Sequence, residues 1–82
     1  IMVLERLDHA LARGARIYAE LVGQASSSDA FHVATPDPDA AGKVRAMRWA
    51  FDDAGLGIVD IDYIYAHGSA TKIYDASETL AI

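Results

Sequence analysis

Hydrophobic and polar positions follow two different periods along the chain, and each period predicts one type of element. The opening run Ile1–Leu4 is apolar throughout, as in a buried strand. Residues 16–23 follow a period-two pattern, which indicates a second strand. The short apolar stretch 61–66 predicts a third strand.

Helical spacing and end signals predict three helices between and after these strands. The first helix is expected to end at Gly14, where a helix C-terminal cap belongs. The second is expected to begin after an N-cap at Asp39 and to end at Gly55. Asp75 followed three residues later by Glu78 is close to a capping box, so the third helix is expected to begin there.

The order of these elements predicts the fold class. Strand, helix, strand, loop, helix, strand, loop and helix follow one another, which favours an α/β fold with partly parallel pairing. Both ends of the chain fall inside the patterns, since residues 1–4 are apolar and residues 79–82 continue a helix without a stop signal. We therefore expect the chain to be an internal fragment of a larger protein.

Composition and charge narrow the classes of function. The 82 residues are 52% hydrophobic, which is too apolar for a disordered segment. A net charge of −5 argues against a nucleic-acid partner or an anionic membrane surface. No run reaches the roughly 18 apolar residues of a membrane span, and no leader pattern opens the chain. The absence of cysteine excludes disulfides and thiolate metal sites within these residues, and the expected compartment is the cytoplasm.

The histidines raise the question of a metal site. His9, His32 and His67 accompany twelve carboxylates, so a zinc site is conceivable. Their separation shows no H-x-x-x-H spacing, and His9 is expected to be a solvated surface residue. We expect no metal.

His67 stands in a more suggestive setting than the other two histidines. It follows the third predicted strand, at the carboxyl end where α/β sheets place ligands. Gly68 permits a close backbone approach or an unusual dihedral angle. Ser69 and Thr71 offer two hydroxyls that can hold one polar chain. A histidine in a polar turn is structural at least as often as catalytic, so both roles stay open at this level.

The residues around His67 resemble a known family. Residues 62–75 read DYIYAHGSATKIYD and are followed by Glu78 and Thr79. This segment is similar to the histidine motif D-Y-I-N-A-H-G-T-x-T-P-x-x-D-x-x-E of β-ketoacyl-[acyl-carrier-protein] synthases. Residues 3–23 and 27–38 are also typical of that family, and the similarity is greatest to the synthase II type. The Gly-Ser-x-Thr-Lys variant is similar to ketosynthase subunits of type II polyketide systems.

The resemblance implies a fold and a division of the chain. Members of the family have a thiolase-like layered α/β fold, built from two similar halves, and are usually homodimers. Residues 1–14 would then end the N-terminal half, and residues 15–82 would start the C-terminal half. The catalytic cysteine and a second histidine would lie outside the 82 residues, so the isolated fragment is expected to be inactive.

The resemblance also implies an activity. It is the decarboxylating Claisen condensation of an acyl-enzyme thioester with malonyl-acyl-carrier protein, in fatty-acid or polyketide elongation. The implied partners are acyl-carrier protein and the malonyl and acyl thioesters. No cofactor is expected, because the substrates are carried on the phosphopantetheine of the carrier protein.

Site residues follow from the same resemblance. His67 would be the catalytic donor to the enolate oxygen, and Ser69 and Thr71 would bind the pantetheine arm. Asp75 and Glu78 would support the polar network of the site. A mobile loop, here named the pocket loop (Asp29–Pro36), would lie beside the acyl and malonyl pocket. Its candidate residues are Phe31, His32 and Ala34.

Three residues depart from the family pattern. Tyr65 replaces the usual asparagine, Lys72 replaces proline, and Ala34 stands where a hydroxyl residue is frequent. Two alternatives to a condensing enzyme remain. One is a non-catalytic partner subunit or carrier-protein docking module of the same fold, and the other is an unrelated small metal-binding domain.

Overall fold

The computed structural model describes all 82 residues and contains three α-helices. Helix α1 spans Leu7–Ala12, α2 spans Ala41–Ala54 and α3 spans Lys72–Ala81. A short 3₁₀ helix, Ile58–Asp60, lies between α2 and α3. Helices α2 and α3 pack against each other. None of the helices is long and apolar enough to cross a membrane.

The ends of α1 and α2 agree in part with the sequence patterns. Gly55 directly follows α2 and Gly14 lies two residues after the end of α1, and both have the left-handed backbone expected of terminal glycines. The N-cap of α2 is Ala40 rather than Asp39, so that prediction was wrong. The reason is a turn before the helix, in which the carboxylate of Asp37 accepts the N–H of Asp39 at 3.1 Å and its carbonyl accepts the N–H of Ala40 at 3.1 Å.

Helix α3 begins earlier than the sequence predicted. Its first residue is Lys72 and its N-cap is Thr71, so Asp75 lies one turn inside the helix. The predicted capping box at Asp75 and Glu78 was therefore wrong. Both carboxylates instead contact the turn that precedes α3, as described below.

The three predicted strands are not formed in the structure. Residues 1–4, 16–23 and 61–66 have no regular secondary structure, so the α/β layering does not arise within these 82 residues. Every backbone–backbone hydrogen bond lies inside a helix or in an adjacent turn. A strand requires a neighbouring strand to accept and donate its backbone hydrogen bonds, and these segments do not pair with one another.

Little of the chain is buried. Only five residues are buried, and four of them lie where the pocket loop, the start of α2 and α3 meet: Pro36, Ala40, Gly42 and Ser77. The accessible surface is 6999 Å², against about 4,800 Å² for a compact monomer of this mass. The radius of gyration is 16.0 Å, against about 12 Å for a compact domain of this length. Most large apolar side chains are therefore exposed to solvent.

One segment approaches α2 closely through a glycine. A Cβ on Gly23 would lie 2.4 Å from the carbonyl oxygen of Ala50 and 2.9 Å from the nitrogen of Ala54. Beside it, the N–H of Gln24 donates to the carboxylate of Asp53 at 3.0 Å. The absence of a side chain at Gly23 is what allows this backbone to pack on the helix.

Candidate active site

The turn that carries His67 reverses the chain sharply before α3. We name residues His67–Thr71 the histidine turn. Gly68 has φ of 53° and Ala70 has φ of 60°, so two residues of the turn are left-handed. Gly68 adopts this geometry freely, whereas at Ala70 the left-handed backbone costs about 1–2 kcal/mol. The turn must therefore be held in place by other contacts.

Glu78 supplies the strongest of these contacts. Its two carboxylate oxygens accept the backbone N–H groups of His67 at 2.8 Å and Gly68 at 2.9 Å. The N–H of Gly68, followed by that of His67, holds the pKa of the Glu78 carboxyl below its ordinary value of 4.5. The ionised carboxylate thus fixes the backbone of His67 to α3 across eleven residues.

Ser69, Thr71 and Asp75 form a second polar group beside this clamp. The hydroxyl oxygens of Ser69 and Thr71 are 3.0 Å apart, and Ser69 Oγ donates to Asp75 Oδ1 at 3.2 Å. A carboxylate only accepts, so the proton of Ser69 points to Asp75 and the proton of Thr71 points to Ser69. Thr71 makes no side-chain capping bond to α3, which leaves its hydroxyl to this pair. Both oxygens retain lone pairs that can accept a donor from a ligand.

The imidazole of His67 is the free member of the group. The side chain is exposed and makes no hydrogen bond within the chain, while its backbone is fixed by Glu78. The structure therefore presents a ring with a held attachment point and two nitrogens accessible to a ligand. The expected site residues His67, Ser69, Thr71, Asp75 and Glu78 are all brought together.

No hydrogen bond joins the pocket loop directly to this group, and the loop is instead hydrogen-bonded to α3. Residues 27–33 and Thr35 line an open groove of about 600 Å³ that includes Phe31 and His32. His32 Nδ1 accepts the N–H of Ala34 at 3.1 Å, so in the neutral ring the proton lies on Nε2. The carbonyl of Ala34 accepts the hydroxyl of Tyr74 at 2.8 Å. Phe31 and His32 make no hydrogen bond to the histidine turn.

Three residues of this region were missed by the sequence patterns. Lys43 Nζ donates to Ser77 Oγ at 2.6 Å, and Ser77 Oγ donates to the carbonyl of Asp37 at 3.0 Å. Tyr74 contacts the pocket loop as described. Their partners lie 34 to 40 residues away, and two of the three acceptors are backbone carbonyls, so no local spacing signals them.

The side chains do not form a cluster suited to binding a metal ion. No group of three or more histidine, aspartate or glutamate side chains lies close enough to share an ion. His9 is exposed and lies 3.8 Å from a carboxylate oxygen of Glu5.

Comparison with family models identifies the family of the chain. The model of the β-ketoacyl synthase C-terminal domain matches residues 18–82, which include the pocket loop, the histidine turn and α3. The chain belongs to the β-ketoacyl synthase family.

Individual proteins agree with this assignment. The chain is 50% identical over all 82 residues to 3-oxoacyl-[acyl-carrier-protein] synthase 2 of Synechocystis sp., and 48% identical to the synthase 2 of Staphylococcus aureus. It spans 20% of the length of each of these relatives.

Two solved structures are similar in fold. One is described as a type II polyketide synthase acyl-carrier protein in complex with its ketosynthase bound to the hexaketide. It has a TM-score of 0.89 at 40% identity, over 94% of this chain and 19% of that one. The other is the ishigamide ketosynthase/chain length factor, with a TM-score of 0.86 at 50% identity, over 93% of this chain and 18% of that one. The segment therefore has the fold of the corresponding part of these ketosynthase structures.

Proposed function

We propose that the protein containing this segment is a β-ketoacyl-[acyl-carrier-protein] synthase, an acyltransferase of fatty-acid or polyketide elongation. The observation that carries the proposal is the geometry of His67. Its backbone is fixed by the bidentate contact with Glu78, and its imidazole is exposed beside the hydroxyls of Ser69 and Thr71. Family membership and the identity to synthase 2 proteins support the reaction class.

In this reaction, malonyl-carrier protein loses carbon dioxide and its thioester carbonyl becomes an enolate. The electron pair of the broken carbon–carbon bond then attacks the acyl thioester on a cysteine, and the thiolate leaves. An imidazole N–H of His67 aimed at the enolate oxygen would stabilise charge that develops only in the transition state. One such donor contributes about 2.7–4 kcal/mol in comparable acyl chemistry. The cysteine and the second histidine would come from outside the 82 residues.

Ser69 and Thr71 would hold the pantetheine arm. The hydroxyl protons of both residues are engaged within the chain, so their oxygens present acceptors toward a ligand. Acceptors suit the amide N–H groups of pantetheine. The substrates bring this arm with them, and the proposed reaction needs no further cofactor.

The proposed partner is acyl-carrier protein, and the proposed assembly is a homodimer. The similarity to a ketosynthase described in complex with a carrier protein supports the partner. We also propose that residues 1–14 and 15–82 belong to the two halves of a thiolase-like layered α/β fold. The TM-scores of 0.89 and 0.86 support that fold, and the family match to a C-terminal domain from residue 18 supports the division.

A second candidate is a non-catalytic partner subunit of the same fold. The description of one similar structure as a ketosynthase/chain length factor favours including it. The retained His67 with its clamp and paired hydroxyls favours the enzyme instead. A full-length protein that binds carrier protein without a cysteine to acylate would support the second candidate.

The test of the first candidate is His67→Ala in the full-length protein. Condensation should fall by about 10²–10³, the scale of one lost oxyanion donor, while acylation of the cysteine is largely spared. His67→Asn keeps an N–H donor and should recover part of the loss. Mass spectrometry of the acyl-enzyme and release of labelled carbon dioxide measure the two half-reactions separately. Equal loss in both, in a folded protein, would reject the assigned role.

A further inference from the structure

Two hydroxyl side chains on one face of α3 hold the chain just after and within the pocket loop. Tyr74 donates to the carbonyl of Ala34 at 2.8 Å, and Ser77 donates to the carbonyl of Asp37 at 3.0 Å. The two are three residues apart, so they stand one above the other on the helix. Neither position is specified by the histidine motif, which leaves 74 and 77 open.

The next residue after each of these hydroxyls contacts the other side of the site. Asp75 accepts from Ser69 at 3.2 Å, and Glu78 accepts from the backbone of the histidine turn at 2.8 and 2.9 Å. Side chains of α3 therefore donate hydrogen bonds to the segment of the pocket loop and accept hydrogen bonds from the histidine turn. The separation between loop and turn is set by one rigid element.

Lys43 determines which partner receives the hydroxyl proton of Ser77. Its ammonium group is a donor only, and it donates to Ser77 Oγ at 2.6 Å. The single proton of Ser77 is consequently left for the carbonyl of Asp37. Ser77 is 4% exposed, so water does not replace either partner.

The pocket loop is closed at its base, where the carboxylate of Asp29 accepts the N–H of Asp37 at 3.0 Å and Pro36 is buried, but the middle of the loop has few other contacts to hold it. Phe31 is 58% exposed and Val33 is 98% exposed, so apolar burial does not fix the loop. Ala30 inside the loop and Ala40 at the N-cap of α2 have φ of 51° and 55°, a geometry that alanine disfavours. Contacts must hold this strained backbone, and the hydrogen bonds from α3 are long-range contacts that do so.

We propose that Tyr74 and Ser77 are positioning residues that set the place of the pocket loop relative to His67. They thereby fix the space left for the malonyl and acyl groups. This inference rests on the proposed function. It assigns no chemistry to the two hydroxyls, which act through the loop.

The test is Tyr74→Phe in the full-length protein, because this change removes one hydroxyl from a residue that is already 39% exposed. Loss of one hydrogen bond of ordinary strength should raise the rate of amide hydrogen exchange at Ala34 and Asp37, whose N–H groups are hydrogen-bonded within the loop segment, by about fivefold. The KM for malonyl-carrier protein should rise by a similar factor, while kcat changes less than about twofold because Glu78 still holds the histidine turn. Adding Ser77→Ala should enlarge both effects.

Thr79→Ala is the matched control. Thr79 Oγ1 donates to the carbonyl of Asp75 at 2.8 Å within α3 and does not contact the loop. An equal effect of Thr79→Ala on loop exchange and KM would show that only helix stability matters, and would overturn the inference. Unchanged exchange in Tyr74→Phe would also overturn it. Exchange is measured without substrate, so a wild-type protein that condenses nothing would reject the proposed function while the loop contact is still decided.

Discussion

Two regions of the chain differ in where their groups find partners. In residues 1–24 the ion pairs are short-range and exposed, such as Arg6 with Asp8 and Arg13 with Glu5. Apolar side chains there are open, with Leu4 and Leu21 both 70% exposed. In the bracketed region, defined as residues 27–43 with 67–79, side-chain hydrogen bonds connect segments up to 40 residues apart.

The difference shows that the site and the sheet segments depend on different kinds of contact. The histidine turn is completed by Glu78, eleven residues away, and needs no other element. The segments predicted as strands need neighbouring backbone that the 82 residues do not supply. Candidate site geometry is therefore present in a chain that has almost no apolar core.

The largest expected effect concerns the whole chain in isolation. With 6999 Å² exposed and most apolar side chains open, the 82-residue peptide should not unfold cooperatively. Circular dichroism during heating, together with sizing, would measure this, and the full-length protein is the control. A monodisperse monomer with a sharp melting transition would contradict this expectation and show that the 82 residues fold on their own.

Sequence patterns predicted the elements that depend on local signals. Gly14 and Gly55 end their helices as expected, because a left-handed terminal residue is a local requirement. The grouping of Ser69 and Thr71 also follows from their spacing. Asp75 was misplaced as a cap because its partner is the side chain of Ser69, outside the helix. Strand periodicity describes which faces are apolar, and it cannot supply the neighbouring strand.

The next expected effect breaks the clamp on the histidine turn. Glu78→Gln leaves one acceptor oxygen for two N–H donors, and the new amide N–H₂ faces a donor. A displaced His67 should lower condensation by about 10²-fold, since misplacement of about 1 Å costs that much. Steady-state condensation assays of the full-length protein would measure it.

Glu5→Gln is the control for this change, because the pKa of Glu5 is also lowered, chiefly by its hydrogen bond with Arg13. Its partner is a surface side chain in the first region, so activity should change less than about twofold.

The lowered pKa of Glu78 also determines how the stability of the protein should change with pH. Its stabilising contribution is present above the ordinary value of 4.5 and is lost as pH falls through the lower folded value. A stability difference between wild type and Glu78→Gln that persisted at lower pH would contradict the clamp.

A smaller effect is expected where the first region packs on α2. Gly23→Ala would bring a Cβ to 2.4 Å from the backbone oxygen of Ala50, which cannot move without shifting the helix. The full-length protein should lose about 1–3 kcal/mol of unfolding free energy, the usual cost of overpacking. Gly57→Ala is the control, because its nearest contact would be an ordinary 3.5 Å. Chemical denaturation would separate the two, and equal losses would contradict the close approach.

The smallest expected effect concerns the cations near the candidate site. Lys43 is engaged with Ser77 and Arg45 donates to the carbonyl of Ser28, which leaves Lys72 as the exposed cation at the start of α3. Lys72→Glu should raise the KM for an acidic carrier protein by about threefold at low salt, the scale of one exposed ion pair, and by less at high salt. An acid at this position favours the helix N-terminus, so loss of α3 would not explain the change. Arg48→Glu on α2 is the control of equal charge. An effect of Lys72→Glu that does not depend on ionic strength would assign the change to packing. An equal effect of Arg48→Glu would assign it to net charge rather than to the position of Lys72 beside the histidine turn.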